Sequence, residues 1–210
     1  MNSKNIFKRA YRKVFLNFGE VLRRELEGCE RVLDLGCGPD SCIKYANVPY
    51  SVGVEMYDEY LKKTKELKRH NEYIKSDVTK INFPDKSFDA VMLIDVLEHL
   101  KKEDGQELIL KMQKWAKKKV IILTPNGFVH QDEIDNNPLQ VHMSGWNADD
   151  FYKAGFNVFG INGIKGLRGE GAYIRYKPAT LWILISDLTQ IVAKYLPKTA
   201  FHLFAIKKLD

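Results

Sequence analysis

The sequence predicts an α/β protein built on an open, mostly parallel β-sheet with helices on both faces. Short apolar strands alternate with helical stretches over roughly 100 residues, which is the pattern of consecutive βαβ units. The run Phe88–Ile94 is almost continuously apolar, as expected of a strand covered on both faces. A chain of 210 residues, 45% hydrophobic and 29% charged, is long enough for one globular domain with a substantial core.

The first elements follow from periodicity and turn residues. Residues 5–27 carry apolar side chains at three- and four-residue steps, which indicates one or two amphipathic helices with a basic polar face, ended at Gly28. The strand Arg31–Leu35 ends at a glycine-rich turn and leads into a short helix. Three further elements are predicted: a strand over Tyr50–Glu55, a helix over 58–70 capped by Asp58, and a strand over 72–76.

The later elements continue the alternation. After Phe88–Ile94, a helix over 103–115 places Leu108, Met112 and Trp115 on one face. A strand over 120–124 stops at Pro125-Asn126-Gly127, a strong turn signal, and a polar loop over 126–146 follows. The remaining elements are a helix over 147–154 capped by Asn147, a strand over 156–164, a helix over 179–196 and a last strand over 200–207.

These elements suggest three segments. We expect an N-terminal helical segment over 1–29, a core formed by 30–164 with 200–210, and an inserted segment over 165–199. The insertion is basic and its helix strongly apolar. It is therefore expected to act as a lid over the acceptor, as a membrane-surface helix, or simply as a cover for one face of the sheet.

Composition narrows the class of protein. No apolar run approaches the roughly 20 residues of a membrane span, and the first residues lack the apolar core of a secretion signal. Three cysteines without a Cys-x-x-Cys pair argue against a disulfide framework or a zinc knuckle. We therefore expect a cytoplasmic enzyme or binding domain, peripheral to a membrane if 5–27 or 179–196 touches one. The net charge of +6 mildly favours anionic partners.

The candidate ligand site lies where the first two strands end. Gly36 and Gly38 follow the first strand and allow the backbone to approach a ligand closely before a helix whose N-terminus favours negative charge. Glu55 ends the second strand 19 residues after Gly36, where a carboxylate can accept hydrogen bonds from two ribose hydroxyls. A dinucleotide-binding fingerprint would need a third glycine, but the sequence has Ser41 there.

Several motifs occur in an order that resembles one family. They are Asp34-Leu-Gly-Cys-Gly-Pro39, Glu55, Asp77-Val78, the run from Phe88 through Asp95-Val-Leu-Glu98-His99-Leu100, and Thr124-Pro125-Asn126. Together they resemble the class I S-adenosylmethionine-dependent methyltransferases over about residues 30–164 and the last strand. The resemblance implies a three-layer, doubly wound, seven-stranded sheet with an antiparallel last strand. It also implies S-adenosylmethionine as cofactor and S-adenosylhomocysteine as product.

The resemblance also implies roles for individual residues. The methionine portion is expected at the amides of Gly36 and Gly38, with Cys37 between them as a small filler, and at the backbone of Ile94 and Asp95. Glu55 is expected to bind the ribose. The adenine is expected to meet Met56, Val78 and the carboxylate of Asp77. Asp34 is expected either in this set or in a structural role, bonding the loop amides.

Two histidines are candidate bases. His99 follows the fourth strand and His142 follows the fifth, whereas His70, His130 and His202 look like ordinary surface or packing residues. Asp95, Glu98 and His99 are expected to share a face of one helical turn, where His142 would complete an oxygen and nitrogen metal site. This set is similar to that of two metal-dependent branches, the small-RNA 3′-terminal and the ubiquinone-biosynthesis O-methyltransferases. Because metal-free relatives share Leu-Glu-His-Leu, a metal is an alternative that the sequence does not favour.

The acceptor is the least determined feature. The sequence favours methyl transfer to a small-molecule or glycan-type acceptor at oxygen, and it does not favour RNA as a partner. One alternative is metal-assisted methylation of an RNA end or a quinol. Another is a non-catalytic regulatory protein that binds S-adenosylmethionine. The oligomeric state is left open.

Overall fold

A computed structural model describes residues 18–169 and 172–209. The expected helix over 5–27 therefore lies mostly outside the described residues. The strands are β1 Arg31–Leu35, β2 Tyr50–Glu55, β3 Glu72–Lys75, β4 Phe88–Ile94, β5 Ala116–Pro125, β6 Asn157–Ile164 and β7 Ala200–Lys208. The helices are α1 Phe18–Glu25, α2 Asp58–Glu66, α3 Lys102–Trp115, α4 Ala148–Lys153 and α5 Ala179–Tyr195.

The seven strands form one sheet in the order β3-β2-β1-β4-β5-β7-β6. The pairs from β3 through β5 are parallel, whereas β7 is antiparallel to both β5 and β6. This confirms the predicted fold class. Because β1 lies between β2 and β4, the strand order reverses at β1, and the carboxyl ends of these strands border the crevice where such sheets bind ligands.

Two apolar cores cover the two faces of the sheet. Leu33 and Leu35 of β1 belong to one core and Val32 to the other, as the alternation of side chains along a strand requires. Helix α3 covers the first face with Leu108, Met112 and Trp115, as predicted. Helix α1 covers the second face with Val21 and Leu22. The central strands are therefore buried on both sides.

The glycine turn does not lead into an α-helix. The chain instead forms a short 3-10 turn, Cys42–Tyr45, in which the Ser41 hydroxyl caps the Ile43 amide. Only residues 36–49 connect β1 to β2, and this connection must run back along the whole strand before β2 begins. The helix N-terminus expected to face the ligand is therefore not formed at this turn, where the Cys37 amide donates to Val54 O and the Gly38 amide to Glu55.

The inserted segment leads into α5, which packs against the outer strand β6. Gln190 and Ala193 of α5 are buried against the sheet. A Cβ at Gly160 of β6 would lie 2.2 Å from the carbonyl oxygen of Ala193, so glycine is what allows the helix to approach this closely. Within the described residues, no helix is long and apolar enough to cross a membrane.

Candidate active site

A cavity of about 590 Å³ lies at the carboxyl ends of β1, β2 and β4. Gly36 and Gly38 line it with positive φ angles of 67° and 62°. A Cβ on Gly36 would lie 2.5 Å from Cγ2 of Val96, so this position requires glycine both for its backbone and for its space. The loop thus turns sharply and presents its backbone to the cavity.

Glu55 is held at the wall of this cavity by backbone amides. Its Oε2 accepts from the Gly38 amide at 2.9 Å and its Oε1 from the Tyr57 amide at 2.8 Å. Burial raises the pKa of Glu55, and the two amide bonds oppose that rise. Each carboxylate oxygen has a second lone pair, so the fixed carboxylate can still accept from two vicinal hydroxyls.

The residues expected to bind the adenine also line this cavity. Asp77 Oδ1 accepts from both the amide and the hydroxyl of Thr79. Partial burial acts to raise the pKa of Asp77, but the Thr79 bonds together with the nearby Lys80 outweigh it, and the pKa lies below its usual value. Val78 and Met56 also line this cavity, Val78 buried and Met56 exposed. An ionised acceptor therefore lies beside apolar surface.

Asp34 lies beneath the glycine loop, outside the set of residues that line the cavity. Its Oδ2 accepts from the Ser41 hydroxyl and lies 3.3 Å from Nε2 of His70. The expected position at the cofactor is thus replaced by the structural alternative. His70 is buried against Gly53, where a Cβ would lie 2.5 Å from the imidazole ring, so it is a packing residue.

Cys37, Ile94 and Asp95 line the cavity as expected. The Cys37 amide donates to Val54 O at 3.0 Å, inside the sheet. Burial, and secondarily the carboxylates of Asp34 and Glu55, raise the pKa of the Cys37 thiol well above its usual range. Cys37 is therefore a packing element of the wall rather than a nucleophile.

A second cavity of about 210 Å³ adjoins the first. Both cavities are lined by Asp95, His99 and Gln140, so these residues mark the junction. The titratable residues that line the second cavity are Asp95, Glu98, His99, His142 and His202. The smaller cavity therefore places proton acceptors directly beside the site expected to hold the cofactor.

The two predicted histidines meet in this second cavity. The ring centroids of His99 and His142 are 4.8 Å apart. Nδ1 of His99 contacts Val141 O, and Nδ1 of His142 contacts Val129 O. A carbonyl oxygen can only accept, so each neutral ring carries its proton on Nδ1 and its lone pair on Nε2. Burial, followed by the nearby His142, lowers the pKa of His99 to about 4, so His99 is neutral near pH 7.

The acidic residues do not share one helical face. Leu97–His99 form a 3-10 turn, and Asp95 precedes it with a φ of 52°, so the expected helical turn is wrong. Glu98 is buried and accepts from the Thr124 hydroxyl at 2.9 Å. The Asp95 side chain is 49% exposed, so only partial loss of hydration raises its pKa. Burial and the neighbouring Asp95 raise the pKa of Glu98 well above its usual value.

Ligating atoms of Glu98, His99 and His142 all lie within 4.8 Å of one another. Three members of the expected metal set are therefore brought together. Asp95 is outside this group, and its Oδ1 lies instead 3.6 Å from Nε2 of His202.

His202 is a titratable residue at this site that the sequence did not indicate. It lies in β7 and is buried, and its Nδ1 accepts a hydrogen bond from the side-chain amide (Nδ2) of Asn162 at 2.8 Å. Burial is the main cause that lowers the pKa of His202 to about 3. The neutral ring thus carries its proton on Nε2, toward Asp95. The sequence did contain one signal for His202, since it is a polar residue within the apolar part of the last strand.

The loop over 126–146 joins the two cavities. Its backbone is fixed where the amides of Met143 and Ser144 donate to Glu98 O, at 2.8 and 3.0 Å. On the other side, the Tyr60 hydroxyl donates to Asp135 at 3.0 Å. Because Gln140 and Met143 line the larger cavity, this loop forms part of its wall.

Comparison with known proteins agrees with this arrangement. Residues 33–124 match the family model described as a methyltransferase domain. Residues 33–124 thus carry a methyltransferase domain, on the fold of solved S-adenosylmethionine-dependent methyltransferases. The match to a methyltransferase domain and the shared fold of S-adenosylmethionine-dependent enzymes support S-adenosylmethionine as the cofactor, as predicted, over the dinucleotide interpretation of the glycine turn.

This chain is similar to three further proteins, one by sequence and two by structure. An uncharacterized methyltransferase of Schizosaccharomyces pombe is 29% identical over 186 residues, covering 77% of this chain and 64% of the relative. The chain thus spans less than two thirds of that relative's length. Solved S-adenosylmethionine-dependent methyltransferases of Archaeoglobus fulgidus and Mesorhizobium loti share the fold. The first is 20% identical with a TM-score of 0.57, covering 97% of this chain and 100% of its own. The second is 14% identical with a TM-score of 0.57, covering 91% and 95%.

Proposed function

We propose that this protein transfers the methyl group of S-adenosylmethionine to an oxygen of a small acceptor bound in the histidine-lined cavity. The observation that carries the proposal is the junction of the two cavities at Asp95, His99 and Gln140. A donor in the larger cavity would direct its methyl toward an acceptor in the smaller one, and alignment of the two is a main contribution of such an enzyme. The volume of about 210 Å³ suits a small molecule or the terminal unit of a glycan.

The proposed base is His142, with His99 as the alternative. In the reaction, the acceptor oxygen forms a bond to the methyl carbon, the bond from that carbon to sulfur breaks, and the acceptor proton must leave. The carbonyl contacts of both rings favour Nε2 as the basic atom. An imidazole is matched to this task near neutral pH. The lowered pKa of about 4 makes His99 a weaker base than an imidazole with the usual pKa.

The first test is turnover on a panel of hydroxyl-bearing acceptors, with S-adenosylhomocysteine as the measured product. We expect His142→Ala to lower kcat by about 100-fold or more, the usual contribution of general base catalysis. Cofactor affinity should stay unchanged, because His142 lines only the smaller cavity. The exposed His130 provides the matched control, and His130→Ala should retain activity. Tight cofactor binding with no turnover on any acceptor would instead support a regulatory protein.

Metal-assisted transfer is the second candidate, and the convergence of Glu98, His99 and His142 favours it. One carboxylate and two imidazoles are a donor set that suits several divalent transition metals. The buried Glu98 carboxylate would also gain a positive partner there. A divalent cation at these three side chains would lower the pKa of an acceptor hydroxyl.

Chelation separates the two candidates. Under the metal hypothesis, chelator-treated protein loses activity, regains it with a divalent ion, and loses ion binding in the Glu98→Gln variant. Under the histidine-base hypothesis, chelation leaves activity unchanged. Direct calorimetry with Mn²⁺ and Zn²⁺ measures the site without any acceptor, so the result does not depend on finding the substrate.

A further inference from the structure

Helix α5 is turned with its polar stripe toward the protein and its apolar side chains outward. Ser186, Gln190 and Ala193 are buried, the reverse of the usual arrangement of a surface helix. The outward set is Leu181, Ile183, Leu184, Leu188, Ile191, Val192, Tyr195 and Leu196, exposed by 43% to 72%. A contiguous apolar face of this kind indicates an interaction surface.

Specific hydrogen bonds fix this orientation. The Gln190 side chain accepts from the Gly163 amide at 2.9 Å and donates to Gly160 O at 2.8 Å. The Thr189 hydroxyl accepts from the Ile164 amide at 3.1 Å. Rotation of the helix would leave these buried polar groups without partners, which costs about 1–3 kcal/mol for each group. The outward apolar face is thus built into the contact with β6.

Basic and aromatic side chains surround the apolar face. Lys165, Arg175 and Lys177 are exposed, as are Tyr173 and Tyr195, and the exposed Lys198 is ion-paired with Asp149 at 2.9 Å. Asp187 is the sole acidic residue between positions 172 and 199, a stretch that the structure describes completely. Apolar side chains flanked by tyrosines and basic residues are typical of helices that lie in the membrane interface.

We propose that α5 docks on an anionic lipid surface, with its apolar side chains at the acyl boundary and the surrounding lysines and arginine among the headgroups. The charges favour lipid over a second copy of the chain. A symmetric dimer through this face would place each basic rim against the same basic rim, whereas an anionic bilayer offers the opposite charge.

The docking helix is tied to the smaller cavity by one side chain. Arg168 donates to Ala172 O at 2.9 Å and to the Ser186 hydroxyl at 3.2 Å. Ala172 lines the smaller cavity and Ser186 is in the middle of α5, so the cavity wall and the helix lie within the span of one arginine. If the proposed methyl transfer holds, this places the acceptor site beside the bilayer and favours an acceptor carried by lipid. Docking itself does not depend on that activity.

Vesicle flotation of the full-length protein tests the docking. We expect co-flotation with vesicles of phosphatidylcholine and phosphatidylglycerol in equal parts, weaker binding to pure phosphatidylcholine, and loss of the difference at about 1 M salt. Leu188→Glu should reduce vesicle partitioning at least tenfold. Leu110→Glu is the matched control, because Leu188 and Leu110 are both 61% exposed and Leu110 lies on α3. This control should leave partitioning unchanged.

Cofactor binding and the thermal midpoint of Leu188→Glu should equal those of the unmodified protein, since Leu188 is exposed and does not line the larger cavity. Three outcomes overturn the proposal. They are absence of binding to anionic vesicles, equal binding by Leu188→Glu, and a lipid-free dimer that Leu188→Glu dissociates. The last result would assign the face to a second copy. Because flotation needs no turnover, failure of docking and failure of the proposed activity are distinguishable.

Discussion

Replacing Glu55 by Gln should weaken S-adenosylmethionine binding by about 100-fold. In the structure each Glu55 oxygen accepts one backbone amide, which leaves one lone pair per oxygen for the ribose hydroxyls. A hydrogen bond to a charged group contributes about 1.5–3 kcal/mol. Weakening two of them by a combined ~3 kcal/mol corresponds to about two factors of ten in the dissociation constant. The new amide group would also face the Gly38 or Tyr57 amide, donor against donor.

Calorimetric titration with S-adenosylmethionine and S-adenosylhomocysteine measures this effect. Glu72→Gln is the control, because it removes the same charge from an exposed residue of the neighbouring strand β3. It should leave the affinity unchanged. A folded Glu55→Gln protein whose affinity falls less than threefold would refute the assignment of Glu55 to the ribose.

Three further predictions concern the stability of the framework. Gly36→Ala should lower both the free energy of unfolding and the cofactor affinity. Alanine is strained at the φ of 67°, and its Cβ would lie 2.5 Å from the Val96 side chain. Gly28→Ala, with a φ of 74° and nothing within 4 Å, should show only the backbone cost of about 1–2 kcal/mol in urea unfolding. Ser41→Ala should cost about 1–2 kcal/mol through loss of the cap on the Ile43 amide, and an unchanged urea midpoint would contradict this. Burial acts to raise the pKa of Asp89, but bonds from the Glu30 and Arg31 amides and Lys118 lower it overall. Asp89→Asn should therefore destabilise the protein at pH 7. The difference should fade below pH ~4, where the unfolded carboxyl and then the folded one take up protons.

The strands were predictable where an apolar run meets a turn. Arg31–Leu35, Tyr50–Glu55 and Phe88–Ile94 have the predicted boundaries, because glycine, proline or polar residues flank each run. Strand β5 begins at Ala116, earlier than predicted, since Lys117–Lys119 read as polar although the chain is already paired with β4. Local pattern identifies the buried part of a strand but not the end that extends into solvent.

The candidate site was predictable in the part that local backbone chemistry determines. Gly36, Gly38 and Glu55 follow from the rule that ligands bind at the carboxyl ends of strands. The position of Asp95 depends on its left-handed φ of 52°, which the neighbouring residues do not predict. His202 reaches the site only because β7 pairs between β5 and β6, a long-range contact that no local pattern contains.

The central placement of β7 also imposes an order of assembly. Strand β6 is hydrogen-bonded to the sheet through β7, which is the last of the seven strands to be synthesised. Strands β1 to β5 can pair earlier and carry the glycine turn and Glu55, so the nucleoside half of the site can form on the nascent chain. The wall that contains His202, and the seating of β6 with its helix, must wait for the final strand to insert. During synthesis the glycine turn and Glu55 can therefore be in place before the wall that contains His202.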